Sequence, residues 1–407
     1  MNRHLSAIVL ALALLPCSAA LADDWPQWRG PERTGLSKET GLLKAWPEGG
    51  PKPLWAIDTP GKGYAAASVV GETIYLTGTE GRKGALYALD LSGKVKWRQV
   101  YGAEFTKSNP MSRTTPTVQD GSAYVYSGEG WAACFDAKTG KRTWAVDTFR
   151  VFRGRNIQWG IAESPLIVDG KFICHPGGPD AAVVALDKRT GKTVWTSKGL
   201  SDKSAYCSPI AVQVGSSQVI LTQTENHIVG LDARSGKVLW KVPQRNRWAV
   251  HPNTPILFDG MVYISSGYRY GSQLLQLSDD GSKASPVWRE KKLDNHHQGV
   301  LRIDGYIYGS SSGGRFYCLN PKDGSIVYQV KEVRKACIVY ADERIYAYDE
   351  RGGKVSLVQV SGKEYKLCGR FEISRGSGPH WAHPVVANGV LYIRHGEAFL
   401  AFDVKAR

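Results

Sequence analysis

The residues best suited to chemistry in this sequence are histidines, tryptophans and arginines that gather just upstream of apolar hairpins. The chain has nine histidines, and five of them lie in such segments: His251, His296, His297, His380 and His383. The same segments supply Tyr64, Arg113, Trp159, Glu163, Tyr206, Asn253, Gln298, Arg334 and Trp381. Histidines scattered over a surface would fall there much less often. The sequence therefore predicts one functional rim that is rich in imidazole and aromatic groups.

The simplest chemistry for such a rim is a transition-metal site, because imidazole binds zinc, copper and iron. The spacing does not favour one. Adjacent residues of a strand point to opposite faces, so His296 and His297 would not both face the same space. His380 and His383 are three residues apart, which is also unlike paired ligands on a strand. We expect no metal, and we expect these imidazoles to hydrogen-bond backbone carbonyls.

The elements that must position these residues are set by an internal repeat. A phrase of the form Ala-Leu-Asp-x-x-Thr-Gly-Lys-x-x-Trp returns about every 45 residues. An apolar pair of strands joined by a turn such as Asp120-Gly121, Asp169-Gly170 or Asp259-Gly260 precedes the phrase. Asp-Gly between alternating apolar residues is a strong hairpin signal, since both central positions of a type I′ turn need positive φ. Each unit is thus a small antiparallel sheet.

Repeats of this length with about four strands are typical of β-propeller blades. The closing aromatics number eight: Trp55, Trp97, Trp144, Trp195, Trp240, Trp288, Tyr328 and Phe371. The first has no blade ahead of it, and the last inner strands, at 380–403, have no outer strand after them. We predict an all-β, eight-bladed propeller of four-stranded antiparallel blades, closed by the N-terminal strand. The loops that enter the innermost strands then form one rim around the channel.

The phrase in Asp136–Trp144 resembles the tryptophan-docking repeat of pyrroloquinoline-quinone (PQQ) propellers. That family includes quinoprotein alcohol dehydrogenases, polyvinyl-alcohol dehydrogenase-like proteins and BamB-type outer-membrane assembly propellers, which keep the repeat without the quinone. Four further segments resemble secreted PQQ-like propellers: Trp25–Pro31, Trp159–Pro165, Asn295–Gly299 and His380–Pro384. The repeat tryptophans are expected to be structural, buried between neighbouring sheets.

The resemblance implies two functions. The first is a ligand-binding or scaffold module of the cell envelope, and the alternative is a PQQ-dependent dehydrogenase that oxidises an alcohol or sugar-like substrate. A quinone would need arginines for its carboxylates, an aromatic platform, and often calcium held by carboxylate and amide oxygens. The cofactor-binding candidates are Arg113, Arg155, Trp159, Glu163, Asn253, His296, His380, Trp381 and His383.

Three features expected of many dehydrogenases of this family are missing from the sequence: a clear catalytic Asp, a pair of vicinal cysteines and a Cys-x-x-Cys-His haem motif. Their absence argues against the dehydrogenase. No catalytic residue is assigned, and PQQ, with or without calcium, belongs to the alternative only. Cys134, Cys174, Cys207, Cys318, Cys337 and Cys368 are expected to be small buried side chains rather than reactive groups.

Three ranges organise the chain. Residues 1–22 read as a signal peptide, with basic Arg3, an apolar run and Ala20-Leu21-Ala22 as the cleavage site. Residues 23–52 form an arm anchored by Trp25 and Trp28, and residues 53–407 form the propeller. Periplasmic or secreted delivery follows, without a transmembrane segment. Lipidation of Cys17 is disfavoured because Pro16 stands where a small residue is usual.

The charge balance, with 52 basic and 37 acidic residues, gives a net charge of +15. A field of that sign attracts anionic partners, although evenly spread charges also serve solubility. The expected partners are an envelope protein or a small anionic or polyol ligand at the channel rim. An exported propeller without a recognised nucleic-acid motif is not expected to bind nucleic acid. We expect a monomer.

Overall fold

A computed structural model describes residues 24–58 and 60–406; the predicted signal peptide, residues 1–22, and Cys17 within it lie outside the described residues. Within these ranges the chain forms eight four-stranded antiparallel sheets arranged as propeller blades. The predicted eight-bladed, four-stranded, all-β architecture is therefore confirmed. One short helix, α1 (Thr148–Phe152), interrupts the strands of the described chain and leads from the second blade to the third.

Strand β1 (Lys52–Ile57) precedes the first complete blade. Blade 1 contains β2 (Ser68–Val70), β3 (Thr73–Glu80), β4 (Lys83–Leu89) and β5 (Val95–Ala103). Blade 2 contains β6 (Thr117–Gln119), β7 (Ser122–Tyr126), β8 (Trp131–Asp136) and β9 (Arg142–Asp147). Blade 3 contains β10 (Leu166–Val168), β11 (Lys171–Cys174), β12 (Val184–Asp187) and β13 (Thr193–Thr196). Blade 4 contains β14 (Ile210–Val214), β15 (Ser217–Gln223), β16 (His227–Asp232) and β17 (Val238–Pro243).

The second half of the ring repeats this plan. Blade 5 contains β18 (Ile256–Phe258), β19 (Met261–Ser266), β20 (Gly271–Leu277) and β21 (Ala284–Glu290). Blade 6 contains β22 (Val300–Ile303), β23 (Tyr306–Ser310), β24 (Phe316–Leu319) and β25 (Ile326–Val330). Blade 7 contains β26 (Ala336–Ala341), β27 (Arg344–Asp349), β28 (Lys354–Val360) and β29 (Tyr365–Glu372). Blade 8 contains β30 (Val385–Ala387), β31 (Val390–His395) and β32 (Ala398–Asp403).

The ring closes between its two ends. Strand β1 pairs antiparallel with β32, from Lys52 opposite Asp403 to Ile57 opposite Phe399, and so supplies the outer strand of blade 8. This confirms the predicted closure by the N-terminal strand. The closure gives β32 a partner, so that blade 8 ends on the same four-stranded plan as the others.

The hairpin turns have the conformation that their sequence requires. Asp120 and Gly121 have φ values of 50° and 72°, and Asp169 and Gly170 have values of 45° and 74°. Positive φ at both central positions is the type I′ geometry, whose twist matches that of the flanking strands. These turns fix the register of the first two strands of a blade.

The repeat aromatics join each blade to the next. The indole N–H of Trp97 donates to the carbonyl of Ala137 at 3.1 Å, and that of Trp144 donates to Lys188 at 2.9 Å. Trp55 of blade 8 donates to Leu91 of blade 1 at 2.8 Å, which carries the same contact across the closure. Each indole thus satisfies its donor in the turn of the following blade. The predicted structural role of these tryptophans agrees with this arrangement.

The glycine of the repeat phrase makes room for the preceding blade's indole, and Gly236 shows the constraint. A Cβ there would lie 2.3 Å from the Trp195 ring, on a backbone with φ of +74°. We expect Gly236→Ala to lower the free energy of unfolding by about 3 kcal/mol, since left-handed strain and ring displacement add. Urea unfolding measures the loss.

A matched control is Gly170→Ala, which has the same φ of +74° but no atom within 4 Å of its Cβ. It carries the backbone strain alone and should lose only about 1 kcal/mol. Equal losses in the two variants would show that indole packing on the turn does not matter.

The N-terminal arm, residues 24–51, crosses the face of the ring opposite the loops that enter the inner strands. Trp25 pairs with Val69 through two backbone hydrogen bonds of 2.8 and 2.9 Å. The Glu39 carboxylate accepts the backbone N–H groups of Asn388 and Gly389 at 2.7 and 2.8 Å, so it caps the first turn of blade 8. The arm is thereby tied to both sides of the closure.

A loop of the arm, residues 27–35, enters the channel and blocks it. The Arg33 side chain is 3% exposed and donates to the carbonyls of Ser164 at 3.1 Å, Pro209 at 2.9 Å and Pro165. Arg29, 5% exposed, donates to the Val300 carbonyl at 2.5 Å on the other side. Two buried guanidinium groups thus bind backbone from several blades. We call residues 27–35 the plug.

Six cysteines of the described chain are free thiols, and five of them are buried, as expected for small apolar side chains. No helix in residues 24–58 and 60–406 combines the length and apolar character that crossing a membrane requires.

Candidate functional site

The loops that lead into the innermost strands surround a pocket of about 330 Å³ at the mouth of the channel. Seven of the eight blades contribute, and blade 7 is the exception. Trp28 of the plug also lines the pocket, so the arm closes it from below. The lining residues are Trp28, Tyr64, Asn109, Arg113, Trp159, Ala162, Tyr206, Ser208, Val250, Pro252, Tyr268, His296, His297, Trp381 and His383. We call this the rim pocket.

Aromatic rings make up most of the wall and hold one another in place. Tyr64 and Trp381 lie with ring centroids 4.8 Å apart, and Tyr268 meets His296 edge to face at 4.5 Å. Trp28 meets His383 at 4.5 Å in the same manner. Edge-to-face pairs are the favoured geometry of aromatic rings. The wall is therefore preorganised and largely apolar.

Arg113 is the basic side chain of the rim pocket. Its guanidinium donates to the carbonyls of Trp159, Ser108 and Asn109, and it lies 5.1 Å from the centre of the Phe105 ring. Burial lowers the pKa of Arg113 from its ordinary value, and the nearby Glu104 opposes that shift. The guanidinium is thus fixed in position with no carboxylate bonded to it.

The pocket histidines are neutral. Burial lowers the pKa of His296 to about 3, with a smaller contribution from Lys335, and lowers that of His383 to about 3, with a smaller contribution from Arg29. Burial also holds the pKa of His297 well below its usual range. His383 donates its Nε2–H to the carbonyl of His297 at 2.8 Å. At neutral pH these rings act as hydrogen-bonding groups without charge. The expectation that His296 and His297 would not face the same space is wrong: both line the pocket, because they lie in a bend rather than in an extended strand.

Trp381 brings an uncommitted donor to the pocket. Its indole Nε1 is buried and has no hydrogen-bond partner in the described chain, and the same holds for Nε2 of His297. Buried polar groups are usually bonded, and leaving one unpaired costs free energy. Both atoms are buried in the pocket wall, and Nε2 of His297 lies 3.8 Å from the Glu350 carboxylate.

Five of the nine sequence-predicted site residues line the rim pocket together: Arg113, Trp159, His296, Trp381 and His383. The other four, Arg155, Glu163, Asn253 and His380, do not line it. Each of these four side chains bonds other parts of the protein. The rim therefore contains residues that line the pocket and residues that support the loops around it.

Glu163 forms a fully buried pair with His175, with 2.6 Å between the carboxylate Oε2 and the imidazole Nδ1. Its Oε1 accepts the His175 backbone N–H at 2.7 Å. The other imidazole nitrogen lies 2.9 Å from the Thr222 hydroxyl of blade 4. The carboxylate thus joins blades 3 and 4 and faces away from the pocket.

Two of the remaining three residues, Asn253 and Arg155, support loops. Asn253 donates its amide to the carbonyls of Asn295 at 2.9 Å and Ser265 at 3.2 Å. Arg155 donates to the carbonyls of Gly177 at 3.1 Å and Ser201. The side chains of these residues tie neighbouring rim loops together.

His380 lies behind the pocket wall. Its ring stacks on His395 with 3.7 Å between centroids, and Nδ1 lies 2.5 Å from the Tyr348 hydroxyl. Burial, with a contribution from His395, lowers the pKa of His380 to about 4.

Sequence reasoning missed two aromatic contributors to the pocket, Trp28 and Tyr268. Trp28 donates its indole N–H to Thr254 at 2.9 Å and reaches the pocket from the far face of the ring. Tyr268 comes from the turn between β19 and β20, not from a loop that enters an inner strand. The Trp25–Pro31 segment could have indicated the role of Trp28. It contains two tryptophans and an arginine, which a short segment can bury only against the propeller.

The family model described as "Outer membrane protein assembly factor BamB" matches residues 39–150 and 108–330. The outer membrane protein assembly factor BamB of Burkholderia pseudomallei (strain K96243) is 24% identical over 273 residues, which cover 64% of this chain and 65% of that protein. The polyvinylalcohol dehydrogenase of Sphingopyxis sp. (strain 113P3) is 22% identical over 418 residues, which cover 84% of this chain and 59% of that protein. The chain spans less than two thirds of the length of either relative.

Among solved structures, the quinohemoprotein alcohol dehydrogenase from Comamonas testosteroni superposes with a TM-score of 0.65 at 13% identity, over 96% of this chain and 82% of that one. At this identity the likeness concerns the fold. The family match covers more than half of the chain and agrees with the repeat and the blade count. The chain therefore belongs to the PQQ-repeat propeller family whose model is described as outer membrane protein assembly factor BamB.

Proposed function

We propose that this protein is an exported cell-envelope module that binds a small ligand in the rim pocket. The observation that carries the proposal is the pocket itself, a preorganised aromatic cavity to which seven blades and the plug contribute. Its volume of about 330 Å³ lies in the range of small-molecule sites. Membership of the BamB-described family supports placement in the envelope, where the same propeller would also serve as a scaffold for a partner protein.

The charge of the lining limits the ligand. In the part of the chain that the structure describes, Arg113 is the one lining side chain charged at neutral pH, since no carboxylate lines the pocket there and the histidines are neutral. Burial raises the pKa of the lining tyrosines Tyr64, Tyr206 and Tyr268, so they are neutral too. A flat, mostly apolar molecule with a single anionic group matches this lining.

A matched pair of fluorescent probes tests this class. Anilinonaphthalene sulfonate carries one anionic group, and phenylnaphthylamine is the same ring system without it. We expect saturable, one-to-one binding of both, about ten-fold tighter for the sulfonate because of its charge-assisted contact with Arg113. Fluorescence titration of the mature protein gives both dissociation constants.

Variants locate the binding. Trp159→Ala should weaken both probes about ten-fold or more, because a stacked ring is lost, while thermal stability changes little. Val287→Ala is the control, since this side chain is 50% exposed on β21, the outer strand of blade 5, and does not line the pocket. Equal weakening in both variants, or a large loss of stability in Trp159→Ala, would contradict a binding role for the pocket wall.

The alternative is a PQQ-dependent dehydrogenase, which the polyvinylalcohol dehydrogenase relative keeps open. PQQ is a planar tricarboxylate, and the aromatic walls suit its ring. The donor set does not suit its charges, since a single guanidinium, that of Arg113, lines the pocket in the described chain against three carboxylates. Calcium prefers carboxylate oxygens, and Glu163, the predicted carboxylate, is paired with His175. The residues present do not fit a calcium-bound quinone.

Titration with PQQ separates the two functions. Under the binding-module proposal we expect no stoichiometric uptake, with or without calcium, by intrinsic tryptophan fluorescence and cofactor absorbance. Saturable uptake that is lost in Trp159→Ala and retained in Val287→Ala would instead establish the dehydrogenase alternative and direct a screen of alcohols.

A further inference from the structure

A second pocket lies on the same face of the ring, at blade 7, which takes no part in the rim pocket. It has a volume of about 200 Å³, and every side chain that lines it is charged. The lining residues are Lys331, Glu332, Arg334, Asp349, Arg351, Lys354 and Arg370. Five are basic and two are acidic, an excess of three positive charges among the lining residues, and Lys354 is also paired with Glu372 outside the lining at 3.6 Å between Nζ and Oε1. We call this the basic pocket.

The two carboxylates do not neutralise the basic side chains through direct pairs. Asp349 accepts the backbone N–H of Arg351 at 2.6 Å, and Glu332 accepts that of Lys331 at 3.0 Å. In the described part of the chain, the side chains of Lys331, Arg334 and Arg351 form no ion pair with a carboxylate. Three cationic groups are therefore free to meet an anion.

One wall of the basic pocket is fixed in advance. Arg370 donates from Nε to the Ser356 hydroxyl at 3.0 Å and from Nη2 to the Glu332 carbonyl at 2.5 Å. These bonds hold the guanidinium against the loop before β26. A guanidinium held in this way loses less side-chain entropy when it binds an oxyanion.

An ion pair separates the basic pocket from the rim pocket. Lys335 Nζ lies 2.5 Å from Glu350 Oε2, and that oxygen is 3.8 Å from Nε2 of His297 in the rim pocket wall. Lys335 and Glu350 are the chain neighbours of Arg334 and Arg351. The two pockets thus share a wall but differ in chemistry, one aromatic and one ionic.

We propose that the basic pocket binds a phosphate group or an equivalent dianionic oxyanion. Converging like charges repel one another, and a dianion would relieve that repulsion. Phosphate presents more acceptor oxygens than a carboxylate, so a single phosphate can bond several of these cationic side chains at once. This proposal stands independently of the rim pocket, because the two sites share no lining residue.

The test is calorimetric titration of the mature protein with inorganic phosphate at low ionic strength, where screening is weak. We expect saturable binding that falls about ten-fold or more in Arg334→Gln/Arg351→Gln, since two charge-assisted contacts are lost. The matched control is Lys198→Gln/Lys237→Gln, which removes two exposed charges from a pocket between blades 3 and 4 and should leave the affinity unchanged.

A second experiment, with lipid vesicles, identifies the source of the phosphate. Retention on phosphatidylcholine vesicles doped with phosphatidic acid, lost in the blade 7 variant only, would assign a lipid headgroup; saturable free phosphate without retention would assign a soluble ligand. The proposal is overturned if neither probe binds, if the control variant loses as much affinity, or if acetate binds as tightly as phosphate.

Discussion

Replacement of Arg33 by alanine should lower the free energy of unfolding by about 3 to 5 kcal/mol, because buried carbonyls lose their donor. Arg33 is 3% exposed and donates to Ser164, Pro165 and Pro209, which belong to the loops of blades 3 and 4. Urea unfolding, followed by tryptophan fluorescence, measures the change.

Two further variants test whether the loss of stability comes from the bonds of Arg33 in the plug or from the loss of a positive charge. Arg33→Lys keeps the charge but loses the planar fork, so we expect an intermediate loss. Arg234→Ala changes an exposed arginine in the blade 4 turn and should stay within about 0.5 kcal/mol of the parent. A loss below about 1 kcal/mol in Arg33→Ala would mean that the blades hold together without the plug.

Acidification from pH 7 to pH 5 should destabilise the protein by about 2 kcal/mol for each deeply buried histidine. His383 and His296 have pKa values lowered to about 3, and His251 has one lowered to about 4, in each case chiefly by burial. Because the unfolded chain binds these protons near pH 6.5 and the folded chain does not, stability falls as pH drops through that value. The loss is complete near the folded pKa values.

Unfolding curves at pH 7 and pH 5 measure this loss, and a variant assigns it. His251→Gln should shrink the difference by about 2 kcal/mol, since one buried proton acceptor is removed. Glu104, whose pKa is raised by burial, offsets part of the trend at low pH. The effect should persist in high salt, because desolvation is not screened as surface charges are. Unchanged stability between the two pH values would contradict neutral, buried rim histidines.

The fold could be predicted because its information is local and repeated. Asp-Gly turns impose hairpin geometry within four residues, and the aromatic at the end of each unit counts the blades. The closure of the ring could be predicted because residues 53–58 form an outer strand with no blade ahead of it and residues 380–403 form inner strands with no outer strand after them. Each segment supplies the pairing partner that the other lacks. What the repeat did not reveal is that the Trp97 indole bonds the turn of the next blade, at Ala137.

The candidate site was predicted in part, for a physical reason. Position in a rim loop could be read along the chain, so Arg113, Trp159, His296, Trp381 and His383 were found. Which way a loop side chain points depends on partners that the loop does not contain. Glu163 is drawn to His175, and Asn253 to the carbonyl of Asn295, so neither reaches the pocket.

The sequence by itself therefore determined the blade, the number of blades and the rim, because each follows from spacing within about 45 residues. Tertiary structure alone decided where the channel is blocked, since Arg33 finds its carbonyl acceptors more than a hundred residues away. It also decided the charge of the rim pocket, because burial of His296 and His383 among aromatic rings keeps them neutral. Contacts and desolvation of this kind exist only after the eight blades have closed on the plug.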